Sequence, residues 1–425
     1  MQHADNLVML PRVRQFPTVT PLARLLAAVA LVALWALPAN PQTGMTCAQL
    51  MGHLSATPAS WGEVKQTQTE AESAPRLTVE AEGLLRLSPL KWPGGRQAAV
   101  SITYDGAFHH GRHLVPLVQS RGLRLDYEVV TYTHQTVPVL HASLGEMRAL
   151  MEEGFHFFGH GHKHDLHDDF PESYVRESFD TCFQLMRQWG LNPRAYAYPG
   201  SAGTQAFVQA ANRDAGFICA RGDDRLDWGN YYIVPEEQME PVNWYFLPSV
   251  VMGTTYASMV GSHDELRPIL EQNLERGSWV ILMYHAVGIP EGWGYYPLPE
   301  FERDLDWLVG NDVWVTHLDE GCAYIRQRAQ VDIGVEPVEH IPGCRSYDVT
   351  LDDGLDPRVY DQALSFELLP PEDFAAANMI VVVTDEGVTV LDPAREPRYI
   401  DAVPDGRTVR IFLLEQSPVS SATHR

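Results

Sequence analysis

The chain has no CxxC pair. Its five cysteines, Cys47, Cys182, Cys219, Cys322 and Cys344, stand far apart, which argues against a cysteine-built zinc site and leaves no disulfide framework legible. Basic residues are scarce, 31 against 55 acidic ones, for a formal charge of -24. A surface of that sign repels phosphate backbones, which argues against a nucleic-acid partner. It suits a protein working outside the cell, or one that handles a neutral or cationic substrate. No internal repeat is visible. Long hydrophobic runs are also missing. The most apolar stretch, Leu25 to Leu37, is about thirteen residues, short for a bilayer span and within the range of a signal-peptide core. Arg12, Arg14 and Arg24 give it a positive flank, and Pro38-Ala39-Asn40 offers a cleavage region. Residues 1–39 therefore read as a signal peptide, with an uncleaved anchor as the other reading. The expectation is a secreted or periplasmic protein with no stable membrane span after cleavage.

What is present is a globular composition, 45% hydrophobic with ten tryptophans, over a length that calls for two or three domains. Residues 40–85 are mixed and polar and read as a linker or lead-in. From Ala98 onward, strands and helices alternate. Ala98–Tyr104, Leu125–Thr131, Phe155–Phe158, Ala195–Tyr198, Phe217–Ala220, Trp279–Tyr284 and Val313–Thr316 read as strands. Between them lie helical stretches with capping boxes at Ser143 and Ser262 and glycine stops at Gly154, Gly190 and Gly277. Seven βα units in series predict an α/β fold, a (β/α)7-type distorted barrel over residues 86–330. After about Val331 short strands separated by Asp, Gly and Pro turns predict a small all-β, sandwich-like domain over 331–425.

In such barrels chemistry gathers at the carboxyl ends of the strands. Asp105, His160, His164, Gly200, Asp224 and His285 all follow predicted strands and would share one rim. His160 and His164, four apart in Gly154-Phe155-His156-Phe157-Phe158-Gly159-His160-Gly161-His162-Lys163-His164, have a spacing that lets two imidazoles reach one divalent ion. His156, His162 and His167 read as solvated neighbours. Trp244, Trp293, Tyr295 and Tyr296 read as sugar-stacking platforms or as packed aromatics. Thr350-Leu351-Asp352-Asp353-Gly354 lies inside the all-β region and reads as a turn.

These segments, in order, resemble the polysaccharide deacetylases, the NodB-like carbohydrate esterases. Ser101-Ile102-Thr103-Tyr104-Asp105-Gly106 is similar to that family's first motif. Gly154 to His164 is similar to the second, and Ala197-Tyr198-Pro199-Gly200 to the third. Asp224-Arg225-Leu226-Asp227-Trp228 is similar to the fourth, and Ile281-Leu282-Met283-Tyr284-His285 to the fifth. The resemblance implies a divalent metal, zinc in first place, held by His160 and His164. It implies Asp105 as general base and His285 as general acid, with Asp224 fixing the His285 tautomer. The stretch Tyr198, Pro199 and Gly200 would line the substrate, with the Gly200 N–H facing an oxyanion, and Trp228 would join that wall. The implied substrate is an acetylated polysaccharide or oligosaccharide. Two positions depart from the pattern. Gly106 stands where the family has a metal-binding aspartate, so His109, His110 or His113 would have to supply a third ligand, or Asp105 would take that role. Ala197 stands where many members carry an arginine, and Arg221 is the candidate replacement. If neither loss is made good, a carbohydrate-binding pseudoenzyme is the alternative; a metal-dependent amidohydrolase acting on something other than sugar is a third.

Overall fold

The structure is a computed structural model that describes residues 84–341, 344–371, 379–385, 387–391 and 397–414. The Leu25–Leu37 run and Cys47 lie outside the described residues, among which no helix is long and apolar enough to cross a membrane.

The strands are β1 (Arg86–Pro89), β2 (Ala98–Tyr104), β3 (Asp126–Val129), β4 (His156–Gly159), β5 (Ala195–Ala197), β6 (Cys219–Arg221), β7 (Val250–Val251), β8 (Trp279–Tyr284) and β9 (Val313–Val315). Then come β10 (Asp332–Ile341), β11 (Cys344–Asp352), β12 (Leu364–Leu369), β13 (Met379–Thr384), β14 (Gly387–Leu391), β15 (Tyr399–Ala402) and β16 (Asp405–Leu414). The helices are α1 (Phe108–Gly111), α2 (Leu114–Gln119), α3 (Thr131–Thr136), α4 (Leu144–Glu152), α5 (Glu172–Gln188), α6 (Ala206–Ala215), α7 (His263–Arg276), α8 (Leu298–Gly310) and α9 (Leu318–Gln330).

The strands of the first half form one parallel sheet in the order β6-β5-β4-β3-β2-β8-β7, with β9 pairing the first half of β2. The segment before β7 reaches across to the other edge: Leu247 N–H donates to Ala220 O at 2.9 Å and Gly222 N–H to Leu247 O at 3.0 Å. Val250 and Val251 pair Leu282 and Met283 of β8. The sheet is thereby drawn round into the expected distorted barrel. Two residues are too few for any periodicity to announce β7, which is why the sequence reading passed over it.

Alternation along the strands sorts the barrel into two surfaces. Val100, Ile102, Tyr104, Tyr127, Phe157, Tyr196, Ala220, Val280, Leu282 and Tyr284 pack outward against the helices. Ala99, Phe158, Ala195, Ala197, Cys219, Trp279 and Ile281 fill the interior. The helices begin where the sequence said, with the Ser143 hydroxyl accepting from Glu146 N–H at 3.2 Å and Ser262 from Glu265 N–H at 3.4 Å.

The C-terminal part is two antiparallel sheets, β10-β11-β16-β13-β14 and β1-β12-β15. Their apolar faces share a core, with Tyr347, Val349, Ile411 and Leu413 from one sheet and Leu364, Phe366 and Ile400 from the other. The strand β1, which precedes the barrel in sequence, pairs with β12 and so belongs to this region. Of Thr350 to Gly354, expected as a turn, the first three residues are the end of strand β11, and the chain leaves the strand only at Asp353-Gly354, where Gly354 N–H donates to Asp352 Oδ1 at 2.9 Å.

Candidate active site

The carboxyl ends of the barrel strands surround a cavity of about 630 Å³. Asp105, His160, His164, Tyr198, Gly200, Asp224, Trp228 and His285 all line it. The rim expected from strand position is therefore one place.

Alternation brings the reacting groups inward. Asp105 follows Thr103 on the inner face of β2, His285 follows Met283 on β8, His160 follows Phe158 on β4, and Arg221 follows Cys219 on β6. Arg221 is fully buried. Its Nη2 donates to Asp105 Oδ1, and its guanidinium lies over the Phe158 ring, 5.2 Å from the centroid. Ala197 and Arg221 are register partners on neighbouring parallel strands. The arginine missing from β5 is thus supplied one strand over, and it reaches the same carboxylate.

The His160 Nδ1–H donates to Ala197 O at 2.9 Å, which leaves Nε2 with its lone pair facing the barrel interior. That atom stands 3.2 Å from the Glu128 carboxylate. Burial, then His164 and Arg221, holds the His160 imidazolium well below its ordinary range. Glu128 was absent from the sequence reading. It comes from the inner face of β3, its side chain is 8% exposed, and burial followed by the neighbouring Asp105 pushes its carboxyl well above the usual range. Two carboxylates, Asp126 and Glu128, on one face of a buried parallel strand, the second near its carboxyl end, were the signal that could have found it.

His164 sits at φ 62, in the left-handed region that a residue with a side chain rarely adopts. The turn that imposes this places its ring edge-on to His160, centroids 5.0 Å apart. Ser201, another cavity residue, is also left-handed at φ 54. Two of the four left-handed non-glycine residues among the described residues, the others being Val234 and Glu236, thus line this cavity, and such strain is common at functional sites.

His285 is wedged against Trp293, ring centroids 4.3 Å apart and nearly perpendicular. Burial, opposed by Asp105, holds it down at about 4, so it is neutral through the neutral range. The bond expected from Asp224 to His285 is not made. Asp224 accepts from Gly229 N–H at 2.8 Å and from the Tyr231 hydroxyl, because its loop folds back on itself. Among the described residues His285 Nδ1 has no hydrogen-bond partner. The Tyr198 N–H is consumed by Arg221 O at 3.0 Å, while Gly200 lies on the cavity wall at φ 54 with a would-be Cβ only 2.7 Å from Leu166.

His109, His110 and His113 do not reach the site; α1 and the turn after it carry all three to the exposed surface. A Cβ at Gly106 would stand 2.9 Å from the Tyr104 ring, so the family's aspartate does not fit there without moving a buried tyrosine. The aromatics expected at the mouth divide. Trp293 lines the cavity together with Trp228, Tyr231 and Tyr256, and Trp228 is 74% exposed. Tyr296 is buried, and Trp244 lies under the Arg326 guanidinium at 4.2 Å.

The opposite end of the barrel holds a second polar cluster. Asp126, His156 and His317 each offer a ligand atom, all within 4.8 Å of one another, a spacing that a metal ion can bridge. As the rings stand, His156 and His317 are stacked at 3.7 Å and 9°. Imidazole lone pairs lie in the ring plane, and two parallel planes share no point, so one ring would have to turn to share an ion. His317 Nδ1–H donates to Asp126, and His156 Nδ1–H to Asp319 Oδ1 at 2.8 Å. His156 is thus a packed member of this cluster, not a solvated neighbour. His167 is buried against Phe179 and Ser178, and His162 bonds Thr131.

The sequence matches no protein-family model and no curated protein. Solved structures do resemble it. The chain is similar in fold to solved polysaccharide deacetylases. One is a protein of Mycobacterium smegmatis whose assignment to that activity is itself provisional: 14% identity, 56% of this chain and 93% of that one, TM-score 0.44. A family 4 carbohydrate esterase from Streptomyces lividans gives 15% identity over 52% of this chain and 92% of that one, TM-score 0.35. A pseudoenzyme of the same family from Bacillus anthracis gives 10% identity over 53% and 65%, TM-score 0.35.

Proposed function

We propose that this protein is an exported, metal-dependent hydrolase that removes acetyl groups from an acetylated polysaccharide. The observation that carries the proposal is the convergence of an Arg221-bound Asp105, His160, His164 and His285 on one cavity with exposed aromatics at its mouth. Export rests on the Leu25–Leu37 run behind its arginine-bearing flank.

His160 and His164 would hold the ion, zinc by the nitrogen donors. Bound there, a divalent cation supplies Lewis acidity to an acetyl carbonyl. Arg221 holds the Asp105 carboxylate in place at the cavity, where it takes a proton from the attacking water. Because His285 is neutral at rest, it delivers a proton to the leaving amine or alcohol only after gaining one during the reaction. The Gly200 N–H would face the developing oxyanion. The flat faces of Trp228 and Trp293 suit the apolar faces of sugar rings.

A binder without catalysis is the second reading, favoured by Gly106, which has no ligand atom. The test is acetate release by the zinc-loaded protein from N-acetylated and O-acetylated oligosaccharides. Release from one class establishes the enzyme and its bond type. Binding of the same oligosaccharides with no release from any of them would establish the pseudoenzyme.

A further inference from the structure

We infer that Glu128 is the carboxylate ligand of the rim metal, doing from β3 what the resemblance assigns to an aspartate in the loop after β2. Three observations carry this. His160 is oriented by Ala197 O so that its only free lone pair, on Nε2, points at Glu128, 3.2 Å away. A neutral imidazole nitrogen and a carboxylate oxygen both present lone pairs; they stay that close only with a proton or a cation between them. Asp105 has one oxygen, Oδ1, held by Arg221, and the proposed function spends the other on the attacking water. Position 106 cannot take the ligand role, because the Tyr104 ring occupies the space its Cβ would need.

The arginine gives a precedent within this same barrel. Ala197 lacks the side chain, and Arg221, its register partner on the adjacent strand, delivers the group to the same Asp105. Glu128 repeats the move. It lies on β3, the strand that pairs β2 at Thr103 and Tyr104, just before the vacant position 106. A glutamate is one methylene longer than the aspartate it would replace, which suits a ligand that starts deeper in the barrel. The set becomes His160, Glu128 and His164, two imidazoles and one carboxylate, a donor set that binds zinc with a position left open for water. As the rings stand, Asp126, His156 and His317 are the residues whose ligand atoms all lie within 4.8 Å of one another among the described residues, so the exposed His164 ring has to turn to close the rim set.

The inference rests on the proposed function only in placing a metal at this rim, and it is tested without turnover. Metal-stripped wild type, Glu128→Gln and His160→Ala are titrated with Zn2+ by calorimetry and with Co2+ by visible absorption, with metal-free thermal unfolding as the check on folding. Gln keeps the shape of the side chain and removes the charge. The expected result is one ion per wild-type chain. Glu128→Gln should weaken it by more than the roughly 10–100-fold that loss of an outer partner costs, alter the Co2+ spectrum, and leave the unfolding midpoint unchanged or raised. Wild-type affinity in Glu128→Gln with loss in His160→Ala would overturn the Glu128 assignment and leave the histidine site standing. Wild-type affinity in both variants would overturn the rim site as well and place the ion elsewhere. No binding by the wild type would overturn the inference outright.

Discussion

The two ends of one barrel carry clusters of nearly the same composition, and they are built to opposite ends. At the base, Asp126, His156, His317, Asp319 and Arg194 are joined to one another. His317 bonds Asp126, whose other oxygen accepts from Leu318 N–H at 2.7 Å at the start of α9. His156 bonds Asp319, and Arg194 bonds Asp319 at 2.7 Å while also reaching Asp361 at 2.9 Å and Val359 O at 3.0 Å in the C-terminal region. At the rim the same residue types leave capacity unused. Arg221 Nε and His285 Nδ1 are without hydrogen-bond partners among the described residues, and His160 Nε2 confronts a carboxylate. Saturated polar groups hold elements together, whereas unsaturated ones in a cavity are held ready for something else. The base is a latch between barrel strands, α9 and the loop before β12, and the rim is where chemistry is proposed.

The difference sets opposite expectations for single substitutions. Asp319→Asn should give the largest loss of stability, about 3–5 kcal/mol, because it leaves buried Arg194 and His156 without their shared carboxylate. Chemical denaturation checks it, and a change comparable to a surface substitution would break the contrast. Stability against pH should also report the base. Burial disfavours charge on His317, but the ion pair with Asp126 outweighs it and raises the imidazolium to about 9; Asp319 raises His156 in the same way. A histidine raised in the folded state contributes fully below its unfolded value, about 6.5, and loses that contribution as pH climbs through the folded value. Burial likewise disfavours charge on Asp319, but His156 and Arg194 outweigh it and hold the carboxyl below its ordinary range, so its contribution is lost only in acid. Unfolding free energy should therefore fall by on the order of 2 kcal/mol between pH 6.5 and 9, and His317→Gln should flatten that limb. A wild-type profile already flat over this interval would mean the base is not the latch described.

Much of this was legible beforehand. The strand-helix alternation followed from sequence pattern, the rim from the rule that chemistry sits after strands, and Arg221 as the partner of Asp105 from the family resemblance at Ala197. What escaped had a common cause. Buried parallel strands are apolar on both faces, so the sequence does not say which residues point inward. Glu128 was passed over as one residue of a predicted strand, and Asp126 could not be joined to His317, nor His156 to Asp319, because those contacts cross 191 and 163 positions. The tie from Asp224 to His285 came from motif likeness alone, and the Asp224 loop satisfies that carboxylate locally.

The most direct test of the division between rim and base is turnover per folded molecule in the zinc-loaded His285→Ala protein, measured as acetate release beside the wild type. The account predicts a fall of about a hundredfold or more with a far smaller loss of stability than Asp319→Asn, since His285 packs against Trp293 but its Nδ1 bonds nothing among the described residues. Wild-type turnover in that variant would contradict it and move the chemistry away from the rim.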